Sequence, residues 1–164
     1  HIHLQAIAQT WQVTYLEPKS EPKSDRENPK YFEKPNFNLV LNTNSPAYCH
    51  QLLRLWLLNT ANRYLPKELL KISKAIALPF NQVSVRQQKT IWGSCSGSKD
   101  ISLNYKLLFL PQPLVRYVLI HELCHTKHMN HSNKFWQLVE SKEPNYKELD
   151  PQLRDVWKVV PTWT

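Results

Sequence analysis

Alternating apolar and polar residues predict four β-strands in this chain. They lie at residues 10–15, 37–41, 82–86 and 101–105, where the two-residue repeat is typical of a strand with one buried face. The stretch between the first two, residues 17–36, is rich in Pro, Lys and Glu and contains a short tandem of EPKS. Proline without an apolar repeat supports neither helix nor strand, so we expect a loop there.

Apolar residues at helical spacing predict five helices in the rest of the chain. We expect the first two to end near residues 64 and 78, since proline follows each of them closely. Strands, helices, strands and helices follow one another, which favours an α+β fold, and 164 residues suit a single domain over 1–164. The expected helix starts are Ser45-Pro46, Pro66, Pro113, Ser132 and Asp150-Pro151.

Both glycines of the chain, Gly93 and Gly97, lie in one short segment between the third and fourth predicted strands. Glycine adopts backbone conformations that other residues avoid. Their confinement to this segment therefore predicts an unusual backbone geometry there.

Composition narrows the class of protein. A hydrophobic fraction of 41% is typical of a folded domain, and no apolar run approaches the ~20 residues that cross a membrane. Three cysteines without a CxxC pair favour a reducing compartment, so we expect a cytoplasmic protein. The net charge of +8 would favour weak binding of a polyanion. Because the basic residues are scattered, a solvated basic surface is the better interpretation.

The segment His121-Glu122-Leu123-Cys124-His125 is an HExxH motif in an apolar helical pattern. Residues four apart on a helix share one face, so the two histidines can bind one metal ion. Neutral imidazoles suit zinc, and Glu122 lies where its carboxylate can take a proton from a water at that metal. The motif therefore predicts a catalytic zinc site.

Three residues compete for the place of the third ligand. His128 shares the helical face but would lie ~10 Å along the axis from His121 if the helix continued. His131 fits better, because Asn130 tolerates a left-handed turn that would bring the chain back to the metal. Glu140, on the next helix, is the third candidate.

Five motifs together resemble the YgjP-like metal-dependent hydrolases, bacterial relatives of the SprT and WLM zinc peptidases. Their joint occurrence is much more specific than HExxH alone, and the close match covers residues 82–140. The motifs are WGSCS at 92–96, ISLN at 101–104, VLIHELCH at 118–125, MNHS at 129–132 and FW at 135–136.

The resemblance implies a zincin-like fold, in which a small mixed or antiparallel sheet packs against the HExxH helix. It implies one Zn²⁺ per chain, bound by His121, His125 and His131, with Glu122 as the catalytic base. It also implies that two segments beside the metal helix line a substrate cleft; the residues concerned are Trp92, Gly93, Ser94 and Asn104. For Trp92 and Asn104 a purely structural role stays open.

Several functions follow from this site. The first is a zinc metallopeptidase, in which Glu122 activates the attacking water. The second is a metal-dependent pyrophosphatase acting on nucleoside triphosphates such as UTP, an activity associated with the YgjP-like group. A DNA-associated protease and a non-catalytic zinc module are further alternatives. A structural zinc usually has four protein ligands, and no fourth one is evident in the sequence.

Overall fold

The computed structural model describes residues 1–16, 30–43 and 45–164. The EPKS tandem and most of the predicted loop lie outside these residues. The remainder of that loop includes residues 31–34, which form a strand, so the prediction of a loop is wrong there. This strand pairs along its whole length with the strand that follows it. The pairing stabilises an extended conformation that the proline-rich composition does not predict.

Seven strands and four α-helices form in the described part of the chain, with short 3₁₀ helices between some of them. In chain order they are β1 (Ile2–Leu4), β2 (Gln9–Tyr15), β3 (Tyr31–Lys34), β4 (Asn38–Leu41), α1 (Pro46–Ile76), β5 (Gln82–Arg86), β6 (Gly93–Cys95), β7 (Asp100–Asn104), α2 (Gln112–Cys124), α3 (Asn133–Lys142) and α4 (Tyr146–Asp155). The predicted α+β class is confirmed.

The strands form two small mixed sheets, where the sequence led us to expect one. The first has the order β1-β2-β4-β3, in which β2 and β4 are parallel and the outer pairs are antiparallel. The second has the order β5-β7-β6, with β5 parallel and β6 antiparallel to β7. Helix α1 contacts both sheets: Trp56 packs edge-on against Trp11 of β2, and the helix also lies against β5.

Helix α1 is continuous over 31 residues, so the prediction of two helices broken near Pro66 is wrong. Its buried face runs through the proline, with Leu57, Ala61, Leu65 and Leu69 all fully buried. This packing outweighs the hydrogen bond that Pro66 cannot donate, as tertiary contacts commonly outweigh local propensity.

The other helix boundaries agree with the sequence to differing degrees. Ser132 begins α3 as predicted, and its hydroxyl accepts a hydrogen bond from the backbone N–H of Phe135. Ser45 precedes α1, but its side chain makes no such capping bond. Helix α4 begins at Tyr146, earlier than the predicted start at Asp150, and contains Pro151. Within the described residues no helix is both long and apolar enough to cross a membrane.

Replacing Pro66 tests how far packing compensates for the interior proline. Pro66→Ala restores a backbone donor in the middle of α1, and we expect the free energy of unfolding to rise by about 1–3 kcal/mol. Pro46→Ala is the matched control, because Pro46 lies in the first turn, where the missing N–H costs nothing. Urea unfolding of both variants measures the effect. A lower stability for Pro66→Ala would mean that the proline ring itself contributes to packing.

Candidate metal centre

Helix α2 carries the first two histidines out of the hydrophobic core. Most of its residues are buried, and Leu119, Ile120 and Leu123 are fully so. The helix ends at Cys124, but His125 keeps a right-handed helical conformation, with φ −65° and ψ −17°. His121 and His125 therefore keep the helical spacing and lie on one face, with ring centroids 5.0 Å apart.

The chain turns back directly after His125. The last turn tightens, because the N–H groups of Thr126 and Lys127 donate to carbonyls three residues earlier. Asn130 is not among the described residues with positive φ, so the predicted left-handed turn at this residue is wrong. The tightened turn and the bend after it bring His131 to the face of α2 that carries the other histidines.

Three imidazoles converge at this point. One ring nitrogen each from His121, His125 and His131 lies within 4.8 Å of the other two, and the Nε2 atoms of His121 and His131 are 3.2 Å apart. Two nitrogens bound to one tetrahedral zinc at ~2.0–2.1 Å would be separated by roughly 3.3 Å. The donor set and its spacing therefore fit a zinc ion.

His128 and Glu140, the other candidates for the third metal ligand, do not take part in this group. His128 offers its backbone carbonyl, which accepts a 2.9 Å hydrogen bond from Nδ1 of His125. Because a carbonyl can only accept, Nδ1 of His125 carries the proton and Nε2 is free for a metal. Glu140 is exposed on α3. Neither His128 nor Glu140 belongs to the histidine group that can hold a metal among the described residues.

Two aromatic residues of α3 fix the histidine rings from behind. The ring of Phe135 is stacked on His125 at 4.3 Å, and the ring of Trp136 is stacked on His131 at 5.7 Å. Phe135 is fully buried. Ring orientation at the site therefore depends on α3 as well as on α2.

Tyr117 and Asp150 also reach the site, although the sequence predicted a role in the site for neither. The Tyr117 hydroxyl lies 3.4 Å from Nδ1 of His121 and donates a 2.7 Å hydrogen bond to Asp150. Burial, followed by that hydrogen bond, raises the pKa of Tyr117. The four-residue spacing of Tyr117 and His121 on α2 is a signal that could have been used. For Asp150, 29 residues further along the chain, the sequence offers no such signal.

Burial sets the charge state of the site in the absence of metal. Desolvation first, and then the neighbouring His125 and His131, lowers the pKa of His121 to about 4. His121 is therefore neutral at neutral pH, the form that binds metals. Desolvation raises the pKa of Glu122 to about 8. A divalent cation nearby would favour the charged carboxylate and oppose this effect.

Glu122 lies against the backbone of strand β6. A Cβ atom at Gly93 would be 3.0 Å from Cγ of Glu122 and 3.2 Å from both its Oε1 and the carbonyl oxygen of Ser102. Neither Gly93 nor Gly97 has positive φ, so the predicted unusual backbone geometry is wrong. Gly93 is required for space beside Glu122, whereas a Cβ at Gly97 would meet nothing within 4 Å.

The remaining residues expected to bind substrate differ in their surroundings. Ser94 is exposed on β6. Trp92 is buried, stacks on Trp157 at 3.8 Å and donates a hydrogen bond to the carbonyl of Leu153. A substrate-binding role for Ser94 and Trp92 stays a prediction, and for Trp92 the contacts describe a supporting residue.

Asn104 is fully buried at the end of β7. Its amide group donates to the carbonyls of Gln88 and Ile91, and its carbonyl accepts from the N–H of Lys106. These bonds hold the chain in place before β6 and after β7. They correspond to the structural role that the sequence left open for Asn104. Direct contact of Asn104 with substrate stays a prediction.

An HExxH helix whose two histidines meet a third beside a buried glutamate defines the class of metal-dependent hydrolases. The sequence model of the family described as "YgjP-like, metallopeptidase domain" matches residues 10–156, and the chain belongs to this family. The prediction of a metal-dependent hydrolase of the YgjP-like group is thereby confirmed.

Comparison with individual proteins gives more limited similarities. The UTP pyrophosphatase of Escherichia coli (strain K12) is 40% identical over 40 residues, a stretch that covers 24% of each chain. The metallopeptidase zymogen of Pyrococcus abyssi abylysin has a TM-score of 0.47 and 27% identity, covering 56% of this chain and 90% of its own. The zymogen of Methanocaldococcus jannaschii jannalysin has a TM-score of 0.46 and 20% identity, covering 53% and 90%.

Glu122→Gln should make the metal-free protein more stable at about pH 8 and leave its stability unchanged near pH 4. In the folded parent, the raised pKa of about 8 against the usual 4.5 lets Glu122 keep a proton that the unfolded chain releases. Parent stability therefore falls as pH rises through this range, by at most about 1.4 kcal/mol per unit of pKa difference.

Glutamine does not titrate, so the variant should lack this decline. Urea unfolding of chelator-treated parent and variant at several pH values measures it, and the difference between the two proteins removes the contribution of the histidines. Parallel stability profiles would show that Glu122 is already ionised in the folded protein.

Proposed function

We propose that this chain is a zinc peptidase, in which His121, His125 and His131 hold one Zn²⁺ and Glu122 is the general base. The observation that carries the proposal is the convergence of three imidazole nitrogens within 4.8 Å beside a buried carboxylate. Membership of a metallopeptidase-domain family supports the same assignment.

Zinc supplies a Lewis acid that polarises a carbonyl oxygen and makes water acidic. The chain supplies the rest. Glu122 follows the first histidine on α2, so its carboxylate can accept a proton from the attacking water and deliver it to the departing amine. Cγ and Oε1 of Glu122 occupy the space that a Cβ at Gly93 would need, so this part of β6 limits where the carboxylate can move. Burial of Glu122 keeps bulk water from competing for the proton.

An open strand edge beside Glu122 favours an extended peptide as the substrate. Strand β6 is the outer strand of its sheet within the described residues. The carbonyl of Trp92 and the N–H of Ser96 bond to β7. Because antiparallel pairs alternate, the backbone groups of Gly93 and Cys95 point away from β7. An extended peptide can pair with such an edge through its main chain.

A nucleoside triphosphate is the second candidate substrate, since part of the chain resembles the Escherichia coli UTP pyrophosphatase. The match spans about a quarter of that protein, so its activity comes to this chain only as an alternative. The sequence has two glycines, and neither is part of a glycine-rich phosphate loop. The open β6 edge is a feature that recognises peptide backbone rather than phosphate.

A non-catalytic zinc module would need a different ligand set. Structural zinc sites are closed by four protein ligands, whereas the group in the described residues has three. Burial of the Glu122 carboxylate costs free energy, and a structural zinc site would gain nothing from it. DNA-associated proteolysis stays a prediction from the net charge and the resemblance.

Glu122→Gln should retain about one zinc per chain and lose peptide hydrolysis by a factor on the order of 10²–10⁴, because the ligands stay and the base is lost. Zinc content is measured by elemental analysis, and hydrolysis with an unstructured polypeptide and, separately, with UTP. Zinc binding by both proteins together with peptide cleavage by the parent alone would support the proposal.

Other results would reject it in different ways. Turnover of UTP without peptide cleavage would keep the metal site and replace the substrate class. Equal peptide cleavage by parent and variant would remove Glu122 from its assigned role. Unfolding of the parent on zinc removal, with no turnover of either substrate, would favour the structural module.

Gly93→Ala should lower peptide hydrolysis by about 10- to 100-fold without loss of zinc, because the added Cβ must displace Glu122. Gly97→Ala is the matched control in the same segment, where the added Cβ meets nothing within 4 Å. The two variants are compared for zinc content and for kcat and KM on one peptide. Full activity in Gly93→Ala would show that the position of Glu122 is not critical.

A further inference from the structure

We propose that Tyr117 and Asp150 are positioning residues: they hold His121 with the proton on Nδ1 and the lone pair of Nε2 directed at the metal position. This inference rests on the proposed function, because His121 needs this tautomer if it binds a metal through Nε2. It extends the site to α4, which carries none of the proposed ligands.

The two hydrogen bonds form a chain from α4 to the first histidine. Tyr117 is fully buried on α2, one turn before His121. Its hydroxyl oxygen lies 2.7 Å from Oδ1 of Asp150 and 3.4 Å from Nδ1 of His121. The second distance is at the long end of the hydrogen-bonding range, and the two rings meet edge-on with centroids 5.9 Å apart.

The order of donors along this chain follows from the groups themselves. An ionised carboxylate only accepts hydrogen bonds, so the single proton of the Tyr117 hydroxyl goes to Asp150. The hydroxyl oxygen then has lone pairs left for His121, and it can be bonded only by a proton on Nδ1. With Nδ1 protonated, Nε2 of the neutral ring is an acceptor and faces His131 at 3.2 Å.

The charge of Asp150 is the second argument. Its side chain is half-buried, and among the described residues no Lys, Arg or His nitrogen lies within 4.0 Å of its carboxylate. A partly buried carboxylate without a cationic partner is costly. A divalent cation bound by His121 would be the charge that Asp150 compensates, through Tyr117. Acceptors behind a ligating histidine also make it a stronger ligand.

The second histidine of the motif, His125, has a different acceptor. Nδ1 of His125 donates to the backbone carbonyl of His128, a neutral group close in sequence. His131 stacks on Trp136. Of the hydrogen bonds to the three histidines in the described structure, the one through Tyr117 leads to a carboxylate. His121 is therefore the histidine whose Nδ1 proton is linked, through Tyr117, to a carboxylate.

Docking of α4 is the alternative explanation for the same bond. Helix α4 has no buried residues, so a hydrogen bond from Asp150 to α2 could simply hold it in place. A docking role predicts lower stability when the bond is removed, but no change in the tautomer of His121. The test therefore needs a reading of the imidazole itself.

The first measurement uses metal-free, nitrogen-labelled protein and long-range proton–nitrogen correlation spectra, which distinguish protonation at Nδ1 from protonation at Nε2. The parent should show His121 protonated at Nδ1, and Tyr117→Phe should shift it towards Nε2. Tyr105→Phe is the matched control, since Tyr105 is also a buried tyrosine and is not among the hydrogen-bond partners of the three histidines in the described residues. An unchanged His121 tautomer in Tyr117→Phe would overturn the inference.

The second measurement is zinc affinity, by competition with a chromophoric chelator. Tyr117→Phe should raise the zinc dissociation constant by about 10- to 100-fold, and Asp150→Asn by a smaller factor, because the amide keeps an acceptor but loses the charge. The double variant should bind zinc about as weakly as Tyr117→Phe alone, since Asp150 acts on His121 only through the Tyr117 hydroxyl. Asp155→Asn, an exposed residue of α4, should leave the affinity unchanged.

The two readings separate this inference from the proposed function. If the parent binds no zinc but the tautomer changes in Tyr117→Phe, the positioning role holds and the zinc peptidase is wrong. If the parent binds zinc and Tyr117→Phe binds it equally well with an unchanged tautomer, the positioning role is wrong and the peptidase assignment stands. Urea unfolding of each variant identifies any loss that is due to misfolding.

Discussion

The candidate metal centre depends on the desolvation of Glu122 and His121, two consecutive residues of a helix that is mostly buried. Burial raises the pKa of Glu122 to about 8 and lowers that of His121 to about 4, so both are neutral in the metal-free protein at neutral pH. The metal-free site therefore carries no charge on Glu122 or His121 that would repel a cation. A divalent cation would accept the imidazole lone pairs and favour the charged form of Glu122, so metal binding would be coupled to ionisation of the proposed base.

Several other parts of the fold hold Glu122 and the three histidines in place. Glu122 packs closely against the backbone of β6, and Gly93 allows this because it has no side chain. The histidine rings need fixed planes, which come from the aromatic residues of α3. Trp92 and Trp157 stack between β6 and the segment after α4, so the strand beside Glu122 and the helix that carries Asp150 are held together. Each support comes from a different part of the chain.

Local patterns in the sequence predicted the parts of this arrangement that are themselves local. These parts are the spacing of His121 and His125, the start of α3 at Ser132, and strands β5 and β7. Each depends on residues that are close together in the sequence. Prediction failed where packing decides. Pro66 reads as a helix break, yet α1 continues because its buried face does. Gly93 and Gly97 suggested unusual backbone angles, whereas Gly93 is needed because Glu122, distant in sequence, lies against it.

The contacts behind the proposed ligands are the hardest part of the site to predict from sequence, for a physical reason. A metal ligand is constrained by chemistry to a few residue types, so His and Glu at fixed spacing are informative. A hydrogen-bond acceptor behind a ligand can be a carbonyl, a hydroxyl or a carboxylate from any neighbouring element, as His128 and Tyr117 illustrate. The distance from Tyr117 to Asp150 is 2.7 Å in space and 33 residues in sequence. That separation hides the pair from any local pattern, although it joins α4 to the centre of the site.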